Sequence, residues 1–314
     1  MSSLSFTLSI VAPVFLIVFA GYFLKKGKLI DEHFNRTASR VVFRVTLPCL
    51  VFEKIATTHF TEVFNVKQMV FANVGVITMV VVAWFIVPLL TRDGRSQGAF
   101  IQGSFRSNFS IIGFALINNA FGPDALAQAA ILLAFIMPLL NILAVIVLTV
   151  PLHKGSNTPV TKIIYDVITN PLIIAVLVSL PFSLLGTTFH PVISRTIGYL
   201  AQLTLPLALL AIGGSLSFHR VRHNAGLVLA AAANKIVLMP LLFTWIAIEL
   251  GFRGLDLGVL FFLFGCPTAI VSYIMADAMG SNSELAGDII LFTTMGSVLT
   301  LSAGILILKG MGYF

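Results

Sequence analysis

Arg106 and Lys235 stand in stretches of this sequence where a charge is hard to accommodate. Arg106 opens the run Arg106-Ser107-Asn108-Phe109-Ser110, and Lys235 lies in Ala233-Asn234-Lys235-Ile236, each deep within an apolar segment. In a bilayer each would cost about 2.5–3.5 kcal/mol near the midplane, so such residues face a cavity, a partner or a ligand. Snorkelling to an interface, pairing with Asp277 and meeting an anionic ligand are the three readings open to them. Ser107, Asn108 and Ser110 add hydrogen-bonding groups beside Arg106. A second constellation reads Gly265-Cys266-Pro267-Thr268, with Ser272 beyond it. Proline removes a backbone donor and clashes with the preceding turn, so the chain is expected to kink or unwind there. Unwound helix ends present free N–H groups and a positive dipole end, which suit a carboxylate. A packed proline kink is the plainer alternative.

The elements that carry these residues follow from composition. Of 314 residues 58% are hydrophobic and 10% charged, with a mean hydropathy of +1.02. Ordinary soluble domains carry about 25% charged residues, so the chain reads as an all-α polytopic membrane protein. Apolar runs give ten candidate spans: 6–24, 38–55, 69–90, 99–119, 125–150, 163–185, 193–216, 225–250, 257–278 and 288–309. Alternate connections hold Lys25, Lys26, Lys28 and Arg36, then Arg92 and Arg95, then Lys154 and Lys162, then Arg220 and Arg222. Positive loops stay in the cytoplasm, which places both termini on the other side. The net charge of +7 is thereby assigned to topology, and no nucleic-acid partner is expected. Arg36, Arg40 and Arg44 share one helix face and read as interfacial, snorkelling residues.

An internal repeat is legible at an offset of 158 residues. Thr46-Leu47-Pro48 recurs as Thr204-Leu205-Pro206, Pro13 answers Pro171, and Ala120-Phe121-Gly122 answers Ala278-Met279-Gly280. At that offset Asn108 aligns with Cys266 and Phe109 with Pro267. Residues 1–150 then form one five-helix repeat, 151–162 a cytoplasmic linker and 163–314 a second repeat, inverted because five is odd. Inverted repeats with a midplane site at their interface are an architecture of secondary transporters. Pro13, Pro48, Pro171 and Pro206 are expected to kink helices around that site, with Gly113 and Gly265 loosening the fourth and ninth spans.

Competing chemistries find little support. The nearest approach to a phosphate loop, Gly21 to Gly27-Lys28-Leu29, has the wrong spacing and no hydroxyl after the lysine. There is no His-Glu-x-x-His, and His33, His59, His153, His190, His219 and His223 fall in loops or at span ends, as do Asp166 and Asp277. Neither enzyme activity, a metal site nor a cofactor is expected. Cys49 and Cys266 make no disulfide framework.

In order and spacing these motifs resemble the auxin efflux carrier family of bacterial and plant membrane transporters. The resemblance spans the chain: Pro13 with Gly21-Tyr22, Val45-Thr46-Leu47-Pro48, Ser107-Asn108-Phe109-Ser110-Ile111-Ile112-Gly113-Phe114, Asn170-Pro171, Pro206 with Ile212-Gly213, Lys235 with Pro240, and Pro267. It implies a bile-acid-symporter-like fold in which spans 4 and 9 cross at unwound centres marked by Asn108 and Pro267. It further implies a scaffold of spans 1, 2, 6 and 7, a bundle of spans 3–5 and 8–10 that moves like an elevator, and a homodimer. The implied cargo is an organic acid, auxin-like or malonate-like, moved through a bacterial inner membrane with a proton, sodium or no coupling ion. A channel is the competing class. Arg106, Ser107, Asn108, Ser110, Lys235, Pro267, Thr268 and Ser272 are the expected substrate-binding residues. Arg106 and Cys266 depart from the family pattern, and the short linker departs from the plant members.

Overall fold

A computed structural model describes residues 3–57, 65–151, 169, 171–186, 189–216 and 225–313. Among these the chain is helical throughout, apart from one isolated bridge between Ser107 and Thr268. In order come α1 (Ser3–Lys26), α2 (Glu32–Val41), α3 (Leu47–Ala56), α4 (Val66–Leu90), α5 (Gly94–Phe105), α6 (Phe114–Phe121) and α7 (Ala125–Thr149). There follow α8 (Pro171–Leu185), α9 (Pro191–Ser215), α10 (Ala225–Ala233), α11 (Met239–Glu249), α12 (Gly254–Gly265), α13 (Val271–Ala278) and α14 (Ser283–Gly310). Among the described residues six helical stretches are long and apolar enough to cross a membrane: Thr7–Lys26, Val66–Leu90, Ala125–Thr149, Pro191–Ser215, Ala225–Glu249 and Ser283–Gly310. The expected spans 4 and 9 are each split into two short helices. Span 2 begins earlier than its apolar run, because Asp31 caps α2 by accepting from the Phe34 N–H at 2.7 Å. The expected linker beyond Pro151, with Lys154, Lys162 and Asp166, lies outside the described residues, as do Asn170, Arg220, Arg222, His59, His153, His219 and His223.

Prolines shape the helices locally. The π-turns Val42–Thr46 and Asn234–Leu238 join α2 to α3 and α10 to α11, and each stands just before a proline, Pro48 or Pro240, at the second position of the next helix. Proline offers no N–H to the carbonyl four residues back and crowds it, so the preceding turn widens. Pro13 and Pro206 lie inside α1 and α9. Pro171 instead opens α8, where a missing N–H costs nothing.

Packing groups the helices. The first set is α1, α3, α8 and α9, with α1 laid along α9 and α3 against both α8 and α9. Contact between α1 and α9 is backbone to backbone: a Cβ on Gly213 would strike the Val18 carbonyl, and one on Gly21 the Leu210 carbonyl. In the second set α5 packs on α4, α7, α10 and α14, and α12 on α11. Apolar side chains left uncovered on α4, namely Val66, Val70, Val74, Ile77, Val81 and Phe85, recur every three or four residues. Such a stripe suits lipid and would be a liability in water.

Polar clasps close the bundle ends. Asp93 caps α5, its carboxylate accepting from the Ser96 hydroxyl (2.6 Å) and the Ser96 and Arg95 N–H groups. The Ser96 hydrogen bonds hold the Asp93 carboxyl below its ordinary range. Asn282, the cap of α14, donates to the Ser96 hydroxyl at 2.9 Å, so the two helix starts are tied together. At the opposite end Asp256 on α12 accepts from Asn65 at 2.8 Å and from Gln128 on α7, while the Gln68 amide on α4 donates to the Asp256 carbonyl.

Candidate solute site at the crossing of two broken helices

Helices α5 and α12 are both 12 residues long, and both stop inside the bundle. For α12 the cause is Pro267, which cannot donate to the Leu263 carbonyl and drives Cys266 into an extended conformation (φ −61°, ψ 146°). No proline interrupts α5. It ends because the residues after it pair with the other break: Arg106 is also extended (φ −78°, ψ 94°). The chain resumes as the π-turn Phe109–Gly113 and α6 on one side, and as α13 on the other.

Where they cross, the two segments bond as a minimal antiparallel pair. The Asn108 N–H donates to the Pro267 carbonyl at 2.8 Å, and the Ala269 N–H to the Arg106 carbonyl at 2.9 Å. Side chains add to this. The Thr268 hydroxyl donates to the Gly103 carbonyl at 2.6 Å, and the Ser107 hydroxyl to the Cys266 carbonyl at 3.4 Å. Gly103 lies in the last turn of α5, where carbonyls lose their helical partners, so Thr268 restores what the break removes. The Thr268 N–H in turn donates to the Thr293 hydroxyl on α14 at 3.1 Å.

Both deep cations are spent on this geometry. Arg106 is 5% exposed, and its guanidinium donates to the Leu140 carbonyl at 3.1 Å and to the Asn141 side-chain oxygen at 2.8 Å, both on α7. Lys235 is fully buried in its π-turn and donates to the Phe264 carbonyl at 2.6 Å. In an unbroken helix that carbonyl would accept from the N–H of Thr268, which is engaged elsewhere. Neither cation bonds Asp277, which is exposed.

The expected site residues Arg106, Ser107, Asn108, Pro267 and Thr268 therefore meet, with Lys235 joined through Phe264. Gly265 ends α12, and Gly113 closes the π-turn against the Phe109 ring. Ser110 is half-buried one residue past Phe109, and Ser272 is buried with a hydroxyl that has no partner among the described residues. The register differs from the 158-residue alignment. Arg106 and Cys266 are the two equivalent caps, following helices that start at Gly94 and Gly254, so the shift is present before either break begins. Sequence reasoning missed Asn141 and Thr293, single polar residues within apolar helices. It also missed a cavity of about 440 Å³ between α1, α3, α6 and α9, which Pro13 and Pro206 line with Glu53, Lys54 and Asn118.

The family described as membrane transport proteins matches residues 6–162 and 160–305 of this chain. The chain belongs to this family, that of the auxin efflux carriers. Among its relatives, an "Uncharacterized transporter" of Methanothermobacter thermautotrophicus is 22% identical, covering 93% of this chain and 95% of the relative. A "Putative malonate transporter" of Rhizobium meliloti is 26% identical over 93% of each chain. The transporter YfdV of Escherichia coli K12 is 20% identical, covering 95% and 96%. Membership makes the protein a multi-pass membrane transport protein, and the crossing lies well within the matched residues.

Proposed function

We propose that this auxin efflux carrier family member is a secondary transporter for a small carboxylate, with the crossing as its solute station. One observation carries the reading: two buried basic side chains, Arg106 and Lys235, flank the break and neither hydrogen-bonds a carboxylate among the described residues. The side chain of Asn108, 4% exposed beside them, supplies the hydrogen bonds, with Ser107, Ser110 and Ser272. Arg106 and Lys235 act through their field, since their donors reach protein oxygens. The malonate in a relative's name agrees with an anionic cargo.

The ten segments form two inverted five-helix repeats, residues 1–150 and 163–314, with basic loops and the linker in the cytoplasm and both termini outside. The set containing α1, α3, α8 and α9 stays fixed, and the bundle carrying the crossing slides past it as an elevator. No coupling ion is required by this scheme. A purified protein should be stabilised against heat by at least one mono- or dicarboxylate, and Asn108→Ala should abolish that response without lowering the melting temperature of the unliganded protein. Unchanged binding by Asn108→Ala would remove the station from the crossing. Counterflow of labelled solute in proteoliposomes separates a carrier from a channel, which gives none.

A further inference from the structure

The cavity between α1, α3, α6 and α9 includes none of the residues that pair at the crossing. Two of its lining residues carry opposite charge and are consecutive: Glu53 and Lys54, in the last turn of α3. Both are half-buried. Among the described residues neither enters an ion pair, the one such pair being Lys25 with Glu32. Lys54 complements the dipole at the C-terminal end of α3, whereas the Glu53 carboxylate in the same turn opposes it, so stability alone gives no reason for Glu53. The Glu53 carboxylate has its own place in the wall: it rests against Gly198 of α9, where a Cβ would stand 3.5 Å from its Oε1. The remaining polar groups are the amides of Asn118, Asn119 and Gln202, and the rest of the wall is largely aliphatic.

Resting on the carboxylate-carrier reading above, we propose that Glu53 and Lys54 set the charge of the solute this cavity admits. A single carboxylate is drawn toward Lys54, while the other end of the solute, neutral or bearing a hydrogen-bond donor, faces Glu53 and the amides. A dianion would have to place its second carboxylate beside Glu53. Specificity arises from that repulsion as much as from the attraction. Monocarboxylates with a hydroxyl or amino group are therefore the cargo class, in preference to malonate-like dianions.

The decisive pair of probes is malonate and 3-hydroxypropionate, equal in carbon count and differing by one charge at neutral pH. Half-saturation of each is measured by thermal stabilisation of the full-length protein and by competition for uptake in proteoliposomes. The wild type should favour 3-hydroxypropionate by at least about tenfold. Glu53→Gln should bring that ratio near unity through tighter malonate binding, and Lys54→Gln should weaken both probes. If Glu53→Gln fails to fold, Glu53→Asp, which withdraws the carboxylate by one methylene, should narrow the ratio in part. A wild type that favours malonate, or a ratio unmoved by substitution at Glu53, overturns this inference alone. A wild type that responds to no carboxylate overturns the carrier reading on which it rests.

Discussion

Replacing Thr268 by valine keeps the shape of the side chain and removes one hydroxyl, so it tests whether the crossing is held by the bonds assigned to it. The Thr268 hydroxyl donates at 2.6 Å to the Gly103 carbonyl. Thr268 is 1% exposed and Gly103 is buried, so water cannot take over. Hydrogen bonds between membrane helices average about 0.6 kcal/mol and reach about 1.7 kcal/mol, the low mean reflecting unfolded states that find other partners. Leaving a buried acceptor unpaired costs about 1–3 kcal/mol. Because α5 ends two residues beyond Gly103, no following turn supplies a substitute donor, and the loss belongs at about 1–2 kcal/mol. With roughly 2–4 °C per kcal/mol for chains approaching this size, melting should fall by roughly 2–8 °C. Thr244→Val is the matched comparison: its hydroxyl is also buried but has no partner among the described residues, so valine there should leave melting unchanged or raise it. Intrinsic tryptophan fluorescence of detergent-purified protein reads both, since Trp84 and Trp245 lie in α4 and α11. Equal shifts for the two variants would refute the assignment.

Two further outcomes follow from packing and capping. Gly213→Val should abolish recovery of folded protein, because its Cβ would occupy the position of the Val18 carbonyl, whereas Gly226→Ala, with open space around its Cβ, should be neutral or stabilising by about 0.5–1 kcal/mol. Size-exclusion profiles after solubilisation distinguish them. Asp93 has its carboxyl lowered chiefly by the Ser96 hydroxyl, so its contribution is complete above the ordinary carboxylate range near pH 4 and is lost as pH falls through the lower native value. Asp93→Ala should cost about 1 kcal/mol at pH 7 and progressively less in acid, read as converging melting temperatures of the two proteins.

How much of this was legible in the sequence depended on whether a residue acts on its own chain. Pro267 announces the ninth-span break because its effect is local and steric. The fourth-span break carries no such mark. Its cause is a partner 161 residues away, the bridge from Ser107 to Thr268, and only Gly113 and the polar density around Asn108 hinted at it. The 158-residue offset set the two breaks opposite one another but misplaced their register, since α5 and α12 already start out of step with it, at Gly94 and Gly254. Gly21 and Gly213 were visible as motif glycines, although that they face one another required the fold. Nothing in the sequence singles out Glu53 and Lys54. Only the packing of α3 against α9 beside α6 brings them to a cavity.

The crossing's electrostatics also depend on which groups survive cancellation. Each break presents a helix C-terminal end, with partial negative charge, and the N-terminal end of the segment that resumes, with partial positive charge of similar size. At short range these ends oppose one another, and several are already bonded: the Gly103 carbonyl by Thr268, the Phe264 carbonyl by Lys235, and the Pro267 and Arg106 carbonyls by the facing backbone. Broken helices alone therefore give a site that is polar but nearly balanced in sign. Arg106 and Lys235 unbalance it. Their hydrogen bonds go to neutral oxygens, which orient the cations without neutralising them, and burial keeps water from screening them. The positive charge of Arg106 remains over a region with almost no solvent, with the Lys235 amine held at the Phe264 carbonyl. On the carboxylate-carrier reading proposed above, an anion held at the crossing would offset that field, and the basic side chains, more than the dipole ends, would be the source of its selectivity.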